Sequence, residues 1–301
     1  MTFNTEALDL ALTGVFRRAL DFFELTKPRV TLMVLVTTFV GFYLGSHSIP
    51  DYLILVQTLL GTALASGGTL TLNQFLERDS DATMERTRHR PLPEGRVQPN
   101  EALIFGILLT VLGLLTLCLT VNALSALVTA AIVGSYLFVY TPLKQKSSLC
   151  LVVGAVPGAL PPVIGWTAAR GQLDPGAWAL FAIMFLWQIP HTLAIARLYR
   201  EDFAKAGIRF LPVIEPDGRS TGRQILTTCS ALLAVSLLPT LLQVTGYFYF
   251  VAAFFLGALF LGCGVGLAIS QSPAAARRLI FASLVYLPVL LAVMALDRIP
   301  L

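Results

Sequence analysis

Three oxygen-bearing side chains recur at four-residue spacing in the stretch Asn73-Gln74-Phe75-Leu76-Glu77-Arg78-Asp79-Ser80-Asp81. No Gly or Pro separates them from the apolar run before them, so the spacing predicts the polar end of a helix. At about 100° per residue, Asn73, Glu77 and Asp81 share an arc of about 80° and span about 12 Å along the axis. Asp79 faces nearly the opposite way. Two carboxylates stacked four residues apart repel each other, so something positive should lie against them. Hard oxygen ligands suit Mg²⁺, which takes one or two carboxylates together with substrate phosphates. The following loop carries Arg86, Arg88 and Arg90, whose guanidinium forks match phosphate oxygens. The bland alternative is a solvated helix end with Glu–Arg pairs. Ionisable groups in register at the hydrocarbon boundary favour chemistry over that alternative.

A second polar segment reads Trp187-Gln188-Ile189-Pro190-His191, then continues through Tyr199 to Asp202. Pro190 is expected to break an otherwise apolar helix, as happens where freed backbone lines a cavity. Gln188, His191 and Tyr199 would then face that cavity. Trp187 lies too deep for an interfacial belt; it either packs or stacks on a flat ligand. Asp202 either extends a metal site from the far side or caps a helix. His47 and His89 are weaker candidates.

The elements that must hold these residues follow from composition. The 301 residues are 56% hydrophobic and only 13% charged, about half the charge of a soluble domain. This excludes an ordinary cytosolic enzyme, a disordered chain and a disulfide scaffold. Nine runs are long and apolar enough to span a bilayer: residues 30–46, 52–72, 102–120, 123–141, 150–168, 176–196, 224–243, 247–269 and 279–296. The fold class expected is all-α, a polytopic membrane helix bundle forming a single domain over 1–301. Every Lys and Arg except Arg170 and Arg298 falls on one side of these spans. Positive residues stay cytoplasmic, which predicts a cytoplasmic N-terminus and an external C-terminus. Residues 1–27 read as an amphipathic helix on the cytoplasmic surface, with Leu8, Leu10, Leu12, Val15, Phe16 and Leu20 among its apolar residues. Residues 73–100 and 197–223 are the only long connections and form the cytoplasmic active-site segments. Cys118, Cys150, Cys229 and Cys263 lie in or beside apolar runs and read as small hydrophobes.

Four stretches together resemble the haem-farnesylating branch of the UbiA-type intramembrane prenyltransferases. They are Leu25-Thr26-Lys27-Pro28-Arg29-Val30-Thr31; residues 73–92, with Met84, Arg86-Thr87 and Arg90-Pro91-Leu92; Tyr140-Thr141-Pro142-Leu143-Lys144 leading to residues 154–166; and Trp187-Gln188-Ile189-Pro190-His191 leading to Leu211-Pro212-Val213. The resemblance implies nine helices around a lipid-open central cavity, with a Mg²⁺–diphosphate site at its cytoplasmic mouth. It gives Asn73, Glu77 and Asp81 the metal role, with Asp202 as a further metal or diphosphate contact. Arg86, Arg90 and either Lys144 or Lys146 neutralise diphosphate. Trp187, Gln188 and His191 bind haem, and His191 and Tyr199 join the catalytic set. For His191, iron ligation, a propionate hydrogen bond and proton relay remain open.

The implied reaction moves the farnesyl group of farnesyl diphosphate to the 2-vinyl group of haem b, giving haem O and diphosphate. Mg²⁺ is the implied cofactor. The implied setting is a bacterial plasma membrane, with haem A synthase or terminal oxidase assembly factors as protein partners and no nucleic acid. The sequence departs from the family pattern in three places. Glu77 stands where many relatives have Asp. Tyr199 stands where a second acid is common. The stretch Lys144-Gln145-Lys146 lacks the usual Lys-Arg pair. Competing readings are a sibling enzyme that prenylates a quinone precursor or chlorophyllide, a secondary transporter, and a structural assembly subunit.

Overall fold

The computed structural model describes residues 5–46, 49–215 and 217–299, and for residues 5–13 and 15 the backbone only. His47 and the side chains of Leu8, Leu10, Leu12 and Val15 lie outside the described residues. Helix α1 (Thr5–Leu25) precedes nine helices that are, among the described residues, long and apolar enough to cross a membrane. These are α2 (Pro28–Gly45), α3 (Tyr52–Asp81), α4 (Pro99–Thr120), α5 (Ala123–Leu143), α6 (Cys150–Arg170), α7 (Pro175–Leu198), α10 (Arg219–Leu241), α11 (Tyr247–Ser270) and α12 (Pro273–Leu296). Two short helices, α8 (Arg200–Lys205) and α9 (Leu211–Ile214), fill the connection after α7. The protein is a multi-pass membrane helix bundle.

All nine expected spans are present, and several extend past the apolar runs. Helix ends follow their caps rather than hydropathy. Asp51 accepts from the backbone N–H of Leu53 and Ile54, Asp174 from Gly176 and Ala177, and Ser272 from Ala275. Capping by Ser272 starts α12 at Pro273, which places Arg277 and Arg278 inside the helix rather than in a loop.

The bundle packs closely where side chains vanish. A Cβ built on Gly165 of α6 would lie 1.9 Å from the Thr38 carbonyl oxygen of α2. One on Gly68 of α3 would lie 2.5 Å from the Thr110 nitrogen of α4. Small residues let helices meet backbone to backbone where lipid supplies no hydrophobic drive.

The expected break at Pro190 does not occur. Helix α7 runs unbroken from Pro175 to Leu198 with Pro190 buried. Packing on two sides holds it: Gln188 Nε2 donates to the Ala155 carbonyl of α6, and Trp187 Nε1 to the Ser283 carbonyl of α12. The irregular backbone lies elsewhere. A wide π-helical turn, Ser135–Tyr140, interrupts α5, and α6 bends at Leu160 between Pro157 and Pro161.

At the far end of the bundle, Arg298 donates to the Ser46 carbonyl, and the backbone of Ile299 pairs with Val244. This groups the loops after α2 and α10 with the C-terminal end. The opposite end carries the first polar segment.

Candidate active site

The α1–α2 corner is built on Lys27, whose backbone is left-handed (φ 47°) with Pro28 opening the next helix. Gln74 Nε2 donates to the Leu25 carbonyl at 2.7 Å and ties this corner to α3. Lys27 Nζ thereby reaches Asn73 and donates to its Oδ1 at 3.2 Å. Burial, then the neighbouring charges of Arg90 and Lys144, lower the Lys27 pKa to about 7.

Each member of the α3 stripe has its own partner. The Asn73 amide donates from Nδ2 to Thr141 Oγ1 at 3.2 Å. Glu77 Oε1 accepts from Lys144 Nζ at 2.6 Å, and Asp81 Oδ2 accepts from Arg90 NH1 at 2.5 Å. Asn73 and Asp81 are almost wholly buried, whereas Asp79 is exposed and lies only near Arg78. The offsetting charge that the stacked carboxylates require is therefore supplied from two elements, by Lys144 after α5 and Arg90 of the loop after α3, with the charge of Lys27 nearby.

The π turn places Lys144. Its extra residue rotates the end of α5, so that Thr141 and Lys144 meet the stripe and Lys144 also sits 4.5 Å from the Tyr140 ring centroid. Burial opposes the Lys144 charge, but Tyr140 and Glu77 beside it more than offset this and hold its pKa above the ordinary lysine range. Lys146 is exposed and does not reach the stripe.

The loop after α3 folds back on itself. Thr87 Oγ1 donates to the Asp81 carbonyl at 2.8 Å, while Leu92 and Val97 bury against Leu25 and Ala102. Arg86 lies over the Phe203 ring, 5.8 Å from its centroid, within electrostatic range of Asp81 on one side and Tyr199 and Asp202 on the other. The two polar segments thus meet at Arg86. The Arg209 N–H donates to the Lys144 carbonyl at 2.8 Å and fastens the second segment to the first. Asp202 stands in the first turn of α8 and makes no capping bond. Tyr199 is exposed beside it.

Beyond Tyr136 an apolar cleft opens between α2, α3, α5 and α6, lined by Val34, Ser66, Thr69, Tyr136, Pro157 and Ile164 among others. The predicted haem contacts do not line it. Gln188 closes its wall from behind, with Oε1 where a Cβ on Gly158 would fall. Trp187 and His191 stack on each other, centroids 5.1 Å apart, and both bond to Ser283 of α12.

Among the described residues, no cluster of three or more His, Cys, Asp and Glu could hold a metal unaided. The stripe offers two carboxylates and one amide oxygen, ringed by cations. That donor set fits Mg²⁺ only in company with substrate oxygens, which is how this ion usually binds.

Residues 34–285 match the UbiA prenyltransferase family. The chain belongs to that family. It is 46% identical over 287 residues to the protoheme IX farnesyltransferase of Solibacter usitatus (strain Ellin6076), covering 92% of this chain and 98% of that relative. Its fold is similar to that of a solved digeranylgeranylglyceryl phosphate synthase, with TM-score 0.81, 17% identity and coverage of 95% of this chain and 100% of the other. It is also similar in fold to a UbiA homologue from Archaeoglobus fulgidus bound to DMAPP and Mg²⁺, with TM-score 0.58, 19% identity and coverage of 91% and 99%.

Sequence reasoning does not single out Lys27, Thr141 and Ser283, which the structure brings into hydrogen bonds with predicted site residues. Lys27 stood in view, but its charge was accounted for by the bias of basic residues to one side. A lone Ser in an apolar helix carries no signal at all.

Proposed function

We infer that this chain transfers the farnesyl group of farnesyl diphosphate to the 2-vinyl group of haem b, forming haem O and releasing diphosphate. One observation carries the site assignment: the in-register stripe Asn73, Glu77 and Asp81 lies under Lys27, Lys144 and Arg90. Such an array matches an anionic leaving group that brings its own metal. Glu77 and Asp81, helped by Asn73 and faced by Asp202, would hold Mg²⁺, which when bound stabilises charge on the departing diphosphate. Lys27, Lys144, Arg90 and Arg86 share that task; pre-set cations are commonly the largest catalytic contribution. The farnesyl C1–O bond breaks, the vinyl carbon bonds to C1, and water adds to the resulting side-chain cation as the hydroxyl of the new hydroxyethyl group, its remaining proton leaving to solvent. The apolar cleft keeps water from the allylic cation before the vinyl group reaches it.

The cleft encloses about 150 Å³, below the roughly 300–1,000 Å³ of ordinary ligand pockets. A fifteen-carbon chain therefore enters with movement of the lining helices, or extends between them into lipid. The bias of basic residues supports an orientation with the stripe end on the cytoplasmic side and the C-terminal end outside, in what we take to be a bacterial plasma membrane. Proteins that receive haem O, haem A synthase or terminal oxidase assembly factors, are the partners this placement suits.

The test is expression in a host lacking its own haem O synthase, with mass spectrometry of membrane pigments. Haem O should accumulate with the wild-type chain. Glu77→Ala and Asp81→Ala should lower it by at least about a hundredfold while membrane insertion is unchanged. Full haem O yield from both variants would remove the metal–diphosphate assignment.

A further inference from the structure

Ser283 lies fully buried on α12, facing α7. Its Oγ is 2.6 Å from the Ile280 carbonyl oxygen and 2.6 Å from His191 Nδ1. A hydroxyl has one proton and lone pairs to spare. An O···O contact of 2.6 Å with no proton between the oxygens would set lone pair against lone pair, so the Ser283 proton lies toward Ile280. This is the usual bond of a helical Ser back to the preceding turn. The contact with His191 then needs its own proton, which only Nδ1 can supply. The chain of donors therefore runs from Nδ1–H to Oγ and from Oγ–H to the Ile280 carbonyl. No carboxylate pairs with His191 among the described residues, and its Nε2 has no hydrogen-bond partner among them. Trp187 fixes the plane of the ring by stacking on it, with 13° between the planes, and is itself anchored on the Ser283 carbonyl.

We propose that Ser283 is a positioning residue that locks His191 with Nδ1 protonated, so that Nε2 offers a lone pair to the iron of the haem substrate. This rests on the haem reading above and narrows it. A ring in this tautomer has no proton on Nε2 to donate, which excludes a hydrogen bond from Nε2 to a haem propionate. The arrangement repeats a general device of metal-ligating histidines, whose second nitrogen donates to a fixed acceptor that sets tautomer and orientation. Ser283 and His191 come from helices far apart in sequence, and only their packing joins them.

The first measurement is ¹⁵N–¹H correlation on the full-length, ¹⁵N-histidine-labelled protein in nanodiscs. The chain has 3 His, so His191→Asn assigns the signal. The wild type should show the Nδ1–H tautomer, Ser283→Thr should keep it, and Ser283→Ala should give a mixture. A wild-type ring with its proton on Nε2 overturns the proposal, whether or not any variant folds. The second measurement is titration with ferric haem b, read by the Soret band and electron paramagnetic resonance. Imidazole ligation should appear in the wild type, weaken about ten- to a hundredfold in Ser283→Ala, return in Ser283→Thr and vanish in His191→Asn. Haem that binds without an imidazole signature overturns the iron assignment. Iron ligation in a chain that makes no haem O would instead count against the farnesyl-transfer reading and leave this proposal standing.

Discussion

Lys27 illustrates how much one side chain can depend on its backbone. Its left-handed φ, rare for a residue with a Cβ, turns the chain between α1 and α2 and aims the ammonium at Asn73. Arg29, two residues on, is exposed. The charge on Lys27 therefore joins the proposed diphosphate contacts, although the Lys-Pro-Arg spelling does not single it out. Lys27→Met should lower kcat/KM for farnesyl diphosphate about ten- to a hundredfold, the range expected for one charge-assisted hydrogen bond. Lys27→Arg should retain most activity. Steady-state kinetics across both variants checks this, and wild-type values in Lys27→Met would remove the residue from the site.

Among the elements, α5 shows why the lysine choice could not be read in advance. A regular helix would carry Lys144 round by about 100° relative to its position after one inserted residue. The π turn supplies that insertion, and with it the bond that Lys144 donates to Glu77 and the one that Thr141 accepts from Asn73. Deleting Phe138, a largely exposed residue within the turn, should restore ordinary helix and swing Lys144 off Glu77. The variant should still insert, as judged by membrane fractionation, yet lose at least about tenfold in turnover.

The α2–α6 contact makes a separate demand. Gly165→Ala puts a methyl group into the Thr38 carbonyl, where backbone rather than a flexible side chain must give way. We expect a loss of about 1–3 kcal/mol, seen as a lowered midpoint of thermal unfolding in detergent. An unchanged midpoint would mean that the two helices separate at no cost.

For the molecule as a whole, the site is a junction of two polar segments over one apolar cleft. In the proposed reading the chemistry sits at the mouth and the prenyl chain below it. Filling the cleft should therefore affect the chain and not the diphosphate. Ser66→Phe narrows the lining, so the KM for farnesyl diphosphate should rise several-fold while inhibition by inorganic pyrophosphate stays at the wild-type level. Equal losses for both ligands would place the prenyl chain elsewhere.

The nine spans, the bias of basic residues and the stripe of Asn73, Glu77 and Asp81 could all be read without a fold. They depend on local facts: length against bilayer thickness, charge beside apolar runs, and helical period over eight residues. The partners of the stripe could not be read this way. Lys27, Thr141 and Lys144 arrive from the α1–α2 corner and the π turn, and their approach depends on packing between distant segments, whereas Arg90 comes from the adjoining loop that the sequence already offered. Pro190 fails as a guide for the same reason, since the helix runs on through it between its neighbours. The bond of Ser283 to His191 lies furthest from the reach of the one-dimensional chain: two ordinary residues 92 positions apart acquire a joint role only because α7 and α12 lie side by side.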